Sequence, residues 1–184
     1  MHKIVPITAI VLLCAGTSFA ITALPTKPSF HQEAVELIGA SHSVALNPEQ
    51  TKSEQVLALW QDFANLMPLH QAVNWNEPVD LYAYYTDFNT TMTKAKLTLG
   101  YDANQLNSSS TIEKLSVLLP VLNKDKIPEG EYQYYPVAGI GNKAVYKAWL
   151  NLPLDRNPKV VLEHYNLDEH GVITNIQLKI IEKQ

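Results

Sequence analysis

Apolar and polar positions alternate with a period of two over several stretches of the chain, the pattern of strands that bury one face. The clearest is Val79 to Tyr85, with Val79, Leu81, Ala83 and Tyr85 on one face and Asp80, Tyr82 and Tyr84 on the other. After the polar turn Asp87 to Thr90, Ala95, Leu97, Leu99 and Tyr101 alternate with Lys96, Thr98 and Gly100 in a second strand. A looser alternation from His31 to Leu46 holds Val35, Leu37, Ile38, Val44 and Ala45, and Gly39 in its middle predicts an interruption or bulge. Towards the C-terminus, Glu131 to Tyr135, Val160 to Tyr165 and Ile173 to Ile181 read as three more strands, the last with Ile176, Leu178 and Ile180 on one face.

Two stretches have helical spacing instead. Asn47 as N-cap and Pro48 at the first helical position favour a start there, and Val56, Trp60, Phe63, Ala64 and Met67 recur on one face, so a helix is predicted from Pro48 to about Met67, ended by Pro68. Gly139 and Gly141 break the chain before a short helix capped by Asn142, in which Val145, Trp149 and Leu152 share a face and which Pro153 and Pro158 end. Leu106 to Thr111 is a Ser-rich loop, Ile127-Pro128-Glu129-Gly130 a strong turn, and Leu115 to Leu122 is apolar but interrupted by Pro120 and fits neither period. The elements in order give strand, helix, strand, strand twice, over residues 31 to 101 and 131 to 181. The fold class predicted is α+β: two such repeats forming antiparallel sheet with helices packed on it and a ligand groove between the halves.

Length and composition add bounds. The 184 residues, 46% hydrophobic, suffice for one domain with its own core. A formal charge of −4 without a Lys/Arg block leaves no electrostatic footprint for nucleic acid. Residues 1 to 20 read as a secretory leader: Lys3 near the start, an apolar run from Ile4 to Leu13, and small residues in Ser18-Phe19-Ala20. Cleavage near Ala20 is expected, then a flexible lead over 21 to 29 and the domain over 30 to 184, with a periplasmic or secreted product. The apolar run is short for a bilayer span, so no stable span is expected after cleavage, although an uncleaved anchor is the other possibility. Removing the leader takes 14 basic residues to 13 against 18 acidic, a formal charge of −5, and takes away Cys14, the one cysteine. The mature chain then has no disulfide, thiol nucleophile or Cys-ligated metal.

Glu163 is the residue out of place. Within Val160 to Tyr165, alternation puts Val161, Glu163 and Tyr165 on one face and Val160, Leu162 and His164 on the other. Either the strand is half-exposed and Glu163 faces water, or a buried carboxylate meets donors or a positive partner.

Four places in the chain carry a resemblance. They are the Trp60-containing helix, the strand Leu81 to Asp87, the segment Ile127-Pro128-Glu129-Gly130-Glu131-Tyr132, and Leu162-Glu163-His164-Tyr165 before a long final strand. In that order they resemble the effector-binding domains of AraC-type transcription regulators and the related DNA gyrase inhibitor (GyrI-like) proteins, across almost all of the mature chain. The resemblance implies a groove for small, often aromatic cations, and a glutamate on the penultimate strand, here Glu163, meeting the positive charge. Tyr82, Tyr84, Tyr134, Trp149 and Tyr165 are the candidate walls beside it, each with ordinary core packing as the other reading. The chain departs from the regulators in having no helix-turn-helix region and in its leader, which puts direct transcriptional control and gyrase inhibition in doubt.

Three functions follow. The first is an exported, noncatalytic protein binding a small amphipathic molecule, without a cofactor. The second is a GyrI-like hydrolase of strained electrophiles with Glu163 as general base and a groove tyrosine orienting water or substrate. The third is a protein-interaction domain using its tyrosine faces. His31, His42, His70, His164 and His170 are scattered without paired ligand spacing, so no metal site is expected.

Overall fold

The computed structural model describes residues 28–46, 54–107, 115, 117 and 121–182. Eight strands form one antiparallel sheet: β1 (Ser29–Gln32), β2 (Val35–Ala45), β3 (Val79–Thr86), β4 (Lys94–Asp102), β5 (Asn123–Ile127), β6 (Gly130–Pro136), β7 (Pro158–Leu167) and β8 (Ile173–Glu182). Among the described residues, three helices with defined ends accompany them: α1 (Glu54–Ala64), α2 (Met67–Ala72) and α3 (Asn142–Trp149). The predicted leader, the expected helix start at Asn47-Pro48 and most of the apolar stretch around Pro120 lie outside the described residues. Among the described residues no helix is long and apolar enough to cross a membrane.

The strand order β1-β6-β8-β7-β3-β4-β2-β5 contains the predicted repeat. The first unit contributes β2, β4 and β3, the second β6, β8 and β7, and they meet at the β3–β7 pair. Each unit's leading short strand crosses to the other unit: β1 pairs with β6, and β5 pairs with β2. Yet β1 leads into β2 through Glu33 and Ala34 alone, and β5 into β6 through Pro128 and Glu129 alone. Three Cα steps span at most about 11 Å. Strands at opposite ends of the order are therefore held side by side, and the sheet curls into a half-barrel.

Alternation then produces two cores. Leu81, Ala83, Tyr85, Val161 and Tyr165 face the helices and pack with Val56, Leu59, Phe63, Leu69, Val145 and Ala148. Tyr82, Tyr84, Val160 and Leu162 face the other way and pack with Val35, Leu37, Ile127 and Tyr132 inside the curl. A strand buried on both faces must be apolar at nearly every position, which is why β3 and β7 read as runs of large residues.

Four expectations change. β2 passes Gly39 with no shift of register against β4, and the break falls at Glu33-Ala34 instead. Gly39 lies opposite Gly100, and a Cβ on it would sit 1.7 Å from the Leu99 carbonyl oxygen, so close backbone approach is what requires glycine. Pro68 does not end the first helix; α1 stops at Ala64, and Pro68 lies in the first turn of α2, where its missing N–H costs nothing. The cap of α3 is Gly141, at φ 98°, with Asn142 already helical. β5, Asn-Lys-Asp-Lys-Ile, was not predicted: as an edge strand it buries Ile127, exposes Lys124 and Lys126 and turns Asp125 to the Thr98 hydroxyl and the Lys96 amine, so apolar residues do not alternate along it.

Candidate functional site

The junction of the two repeats places one carboxylate among aromatic donors. Glu163 in β7 pairs directly with Ala83 in β3, on the helix-facing side, and is 3% exposed. The solvent-facing reading of Glu163 is therefore set aside. Trp149, the last residue of α3, donates its indole N–H to Oε1 at 2.6 Å, and the Tyr85 hydroxyl donates to the same oxygen at 3.3 Å. The Tyr165 hydroxyl donates to Oε2. Burial first, and then the negative charge of Glu163, hold the hydroxyls of Tyr85 and Tyr165 well above the usual tyrosine range. Both tyrosines are therefore neutral O–H donors at physiological pH, and both carboxylate oxygens are fixed as acceptors.

The arrangement follows the repeat. Tyr85 and Tyr165 each lie two positions beyond the central Ala83–Glu163 pair, one on each strand, and so flank it from opposite ends. A tryptophan from the helix of each unit meets them: Trp60 of α1 lies edge-on to Tyr165 at 5.6 Å, and Trp149 of α3 edge-on to Tyr85 at 4.9 Å. The result is an approximately two-fold aromatic frame around a single charge, because the position equivalent to Glu163 is Ala83. A second carboxylate there would repel the first at cross-strand distance.

Of the residues singled out from sequence, Glu163, Tyr165 and Trp149 come together, joined by Tyr85 and Trp60, which were assigned only to the strand and helix. Tyr82, Tyr84 and Tyr134 do not. Tyr82 stacks on His164 at 4.5 Å on the opposite side of the sheet. Tyr84 belongs to the core inside the curl, where burial, with the charges of Asp125 and Asp87, pushes its hydroxyl up to about 12. Tyr134, in β6, sits edge-on to Phe30 at 5.5 Å. The sequence carries the signal for the division: the parity of β3 separates Tyr85 from Tyr82 and Tyr84. What was missing was the β3–β7 register, which decides the face that Glu163 shares.

A separate polar chain runs behind the site. Asp80 Oδ1 accepts from His164 Nε2–H at 2.8 Å and from Asn166 at 2.7 Å. Lys179 Nζ donates to Gln32 Oε1 at 3.0 Å and to His164 Nδ1 at 3.3 Å. Burial alone would raise the Asp80 carboxyl, but its bonds and charge interactions with His164, together with Asn166 and Lys179, hold it below its ordinary value. Burial lowers the Lys179 amine, against the pull of Asp80. His70 is also a packing residue: Nε2–H donates to the Phe63 carbonyl and Nδ1 accepts from Tyr101, both at 2.9 Å.

No protein-family model matches the chain, and no curated protein matches it in sequence. Solved structures do match in shape. An integron cassette protein from the mobile metagenome of Vibrio cholerae superposes with a TM-score of 0.59 at 15% identity, over 86% of this chain and 97% of that one. The protein SAV2435, solved bound to tetraphenylphosphonium, gives 0.54 at 10% identity over 84% and 93%. A candidate transcription-regulation protein from Staphylococcus aureus MU50 gives 0.52 at 11% identity over 84% and 97%. At these identities what the chain shares with them is the fold, along nearly the whole length of each.

Proposed function

We propose that the chain is a small-molecule-binding protein of the GyrI-like, effector-binding type, and that it takes an amphipathic aromatic cation at Glu163. The observation that carries this is the buried carboxylate at the meeting point of the two repeats, held by Trp149, Tyr85 and Tyr165 inside a frame completed by Trp60. The three donors named are neutral and supply no counter-charge, and in a low-dielectric setting the attraction between a carboxylate and a cation is several times its strength in water. Each aromatic face adds about 0.5 to 2 kcal/mol of cation-π attraction. That a structure of the same fold was solved with tetraphenylphosphonium supports the choice of ligand class. The leader-like residues 1–20 add the proposal of export, for which the N-terminus of the protein recovered from cell fractions is the test.

The binding experiment is calorimetric titration of the chain with tetraphenylphosphonium and with neutral triphenylphosphine oxide. Selective binding of the cation, lost in Glu163→Gln, is the expected outcome; equal affinity for both compounds would remove the electrostatic basis. Turnover of an electrophile that disappears in Glu163→Gln would move the assignment to the hydrolase.

A further inference from the structure

The two connectors that close the half-barrel gather four side chains that the Glu163 site does not use. His31 of β1 stands directly opposite Glu131 of β6, and its Nδ1 lies 3.2 Å from Glu131 Oε1. A carboxylate can only accept, so Nδ1 carries the proton of that bond, which leaves Nε2 as the nitrogen able to take a metal ion. Nε2 sits 3.4 Å from Oε1 of Glu33, in the β1–β2 connector, and 3.5 Å from Oε1 of Glu129, in the β5–β6 connector. Three potential ligand atoms from three segments thus face one point, where a metal ion would neutralise the two carboxylates as a proton on Nε2 would.

The spacing suits a metal ion. Zinc binds imidazole nitrogen and carboxylate oxygen at about 2.0 to 2.2 Å, and a tetrahedron with such bonds has edges of about 3.3 to 3.6 Å. Both distances from His31 Nε2 fall in that interval. The three ligand atoms all lie within 4.8 Å of one another, and the Glu33 and Glu129 side chains are 81% and 63% exposed, free to rotate onto the third edge. Glu131 on the far ring nitrogen fixes tautomer and orientation, the role that a second carboxylate plays behind a metal-bound imidazole. An imidazole donor favours zinc and its first-row neighbours over magnesium or calcium, which prefer all-oxygen sites.

We propose that His31, Glu33 and Glu129 bind a divalent zinc-class ion, with Glu131 positioning the imidazole and a fourth coordination place left to water. The ion ties the two connectors together. It closes the half-barrel across residues that are far apart in sequence, so binding reports on the folded state alone and stabilises it.

The test uses the full chain produced without a histidine tag. Co2+ gives one equivalent of visible d–d absorption, which Zn2+ displaces, and Zn2+ raises the unfolding temperature. His31→Gln and Glu33→Gln each weaken Co2+ binding at least about tenfold, and Glu131→Gln weakens it by about tenfold without touching the ion. Circular dichroism checks that the variants fold; if His31→Gln does not, Glu33→Gln at its exposed position carries the test. No Co2+ spectrum with the folded wild type, or a spectrum and affinity unchanged in both His31→Gln and Glu33→Gln, would overturn the site.

Discussion

Replacing Trp149 by Phe keeps an aromatic ring at the end of α3 and removes one N–H from Glu163. The bond lost is 2.6 Å long and ends on a carboxylate 3% exposed. Hydrogen bonds to charged groups contribute about 1.5 to 3 kcal/mol, and the half-buried indole places this one near the lower end. In a Glu163→Gln background the same oxygen position is neutral and the same deletion costs only about 0.5 to 1.5 kcal/mol. Ring shrinkage and any change in the edge-on packing against Tyr85 are common to both backgrounds and cancel in the cycle. Urea unfolding at pH 7 of the wild type, W149F, E163Q and the double variant therefore yields a coupling of about 1 kcal/mol, equivalent to about 2 to 4 °C in a protein of this size. Additivity within about 0.3 kcal/mol would refute the charge-assisted bond.

Other perturbations test neighbouring parts of the account. Gly39→Ala places a Cβ against backbone atoms of Leu99 and Gly100 that cannot rotate away, so it should cost at least about 1 to 3 kcal/mol in urea unfolding; a loss under about 0.5 kcal/mol would remove the close-approach explanation. Tyr82→Phe acts on the far side of the sheet and should leave tetraphenylphosphonium affinity unchanged within about twofold, whereas a large loss would put Tyr82 back in the site. The Lys179 amine is lowered below 10.5 in the folded chain, so between its folded value and 10.5 the unfolded chain binds more protons. Its contribution to stability therefore improves as pH rises through that window. Lys179→Met should flatten this alkaline gain in pH-dependent unfolding, and an undiminished gain would locate its origin elsewhere.

Fold class was legible because β3, β4, β7 and β8 are strand-length stretches rich in β-branched and aromatic residues, separated by turn residues whose backbone chemistry is specific. The repeat was legible as element order alone, since pairing across β3 and β7 restores a symmetry that the residue identities do not show. Glu163 was conspicuous as a carboxylate in an apolar run. Its surroundings were less so, because register is a long-range property: a slip of one residue would have turned Tyr82 and Tyr84 towards it and Tyr85 away. The edge strand β5 and the His31–Glu33–Glu129 cluster escaped for a related reason. Both exist only because the sheet curls until its ends meet, and local periodicity carries no trace of closure.

The most direct test of the central claim is the difference in free energy of binding between tetraphenylphosphonium and triphenylphosphine oxide, measured by calorimetry for the wild type and Glu163→Gln. Truncating one partner of a buried charge pair costs about 2 to 5 kcal/mol, so the cation should lose at least about thirtyfold in affinity. The neutral compound should change by less than about threefold. Equal losses for the two ligands, or cation affinity unchanged in Glu163→Gln, would contradict a site organised around the charge of Glu163.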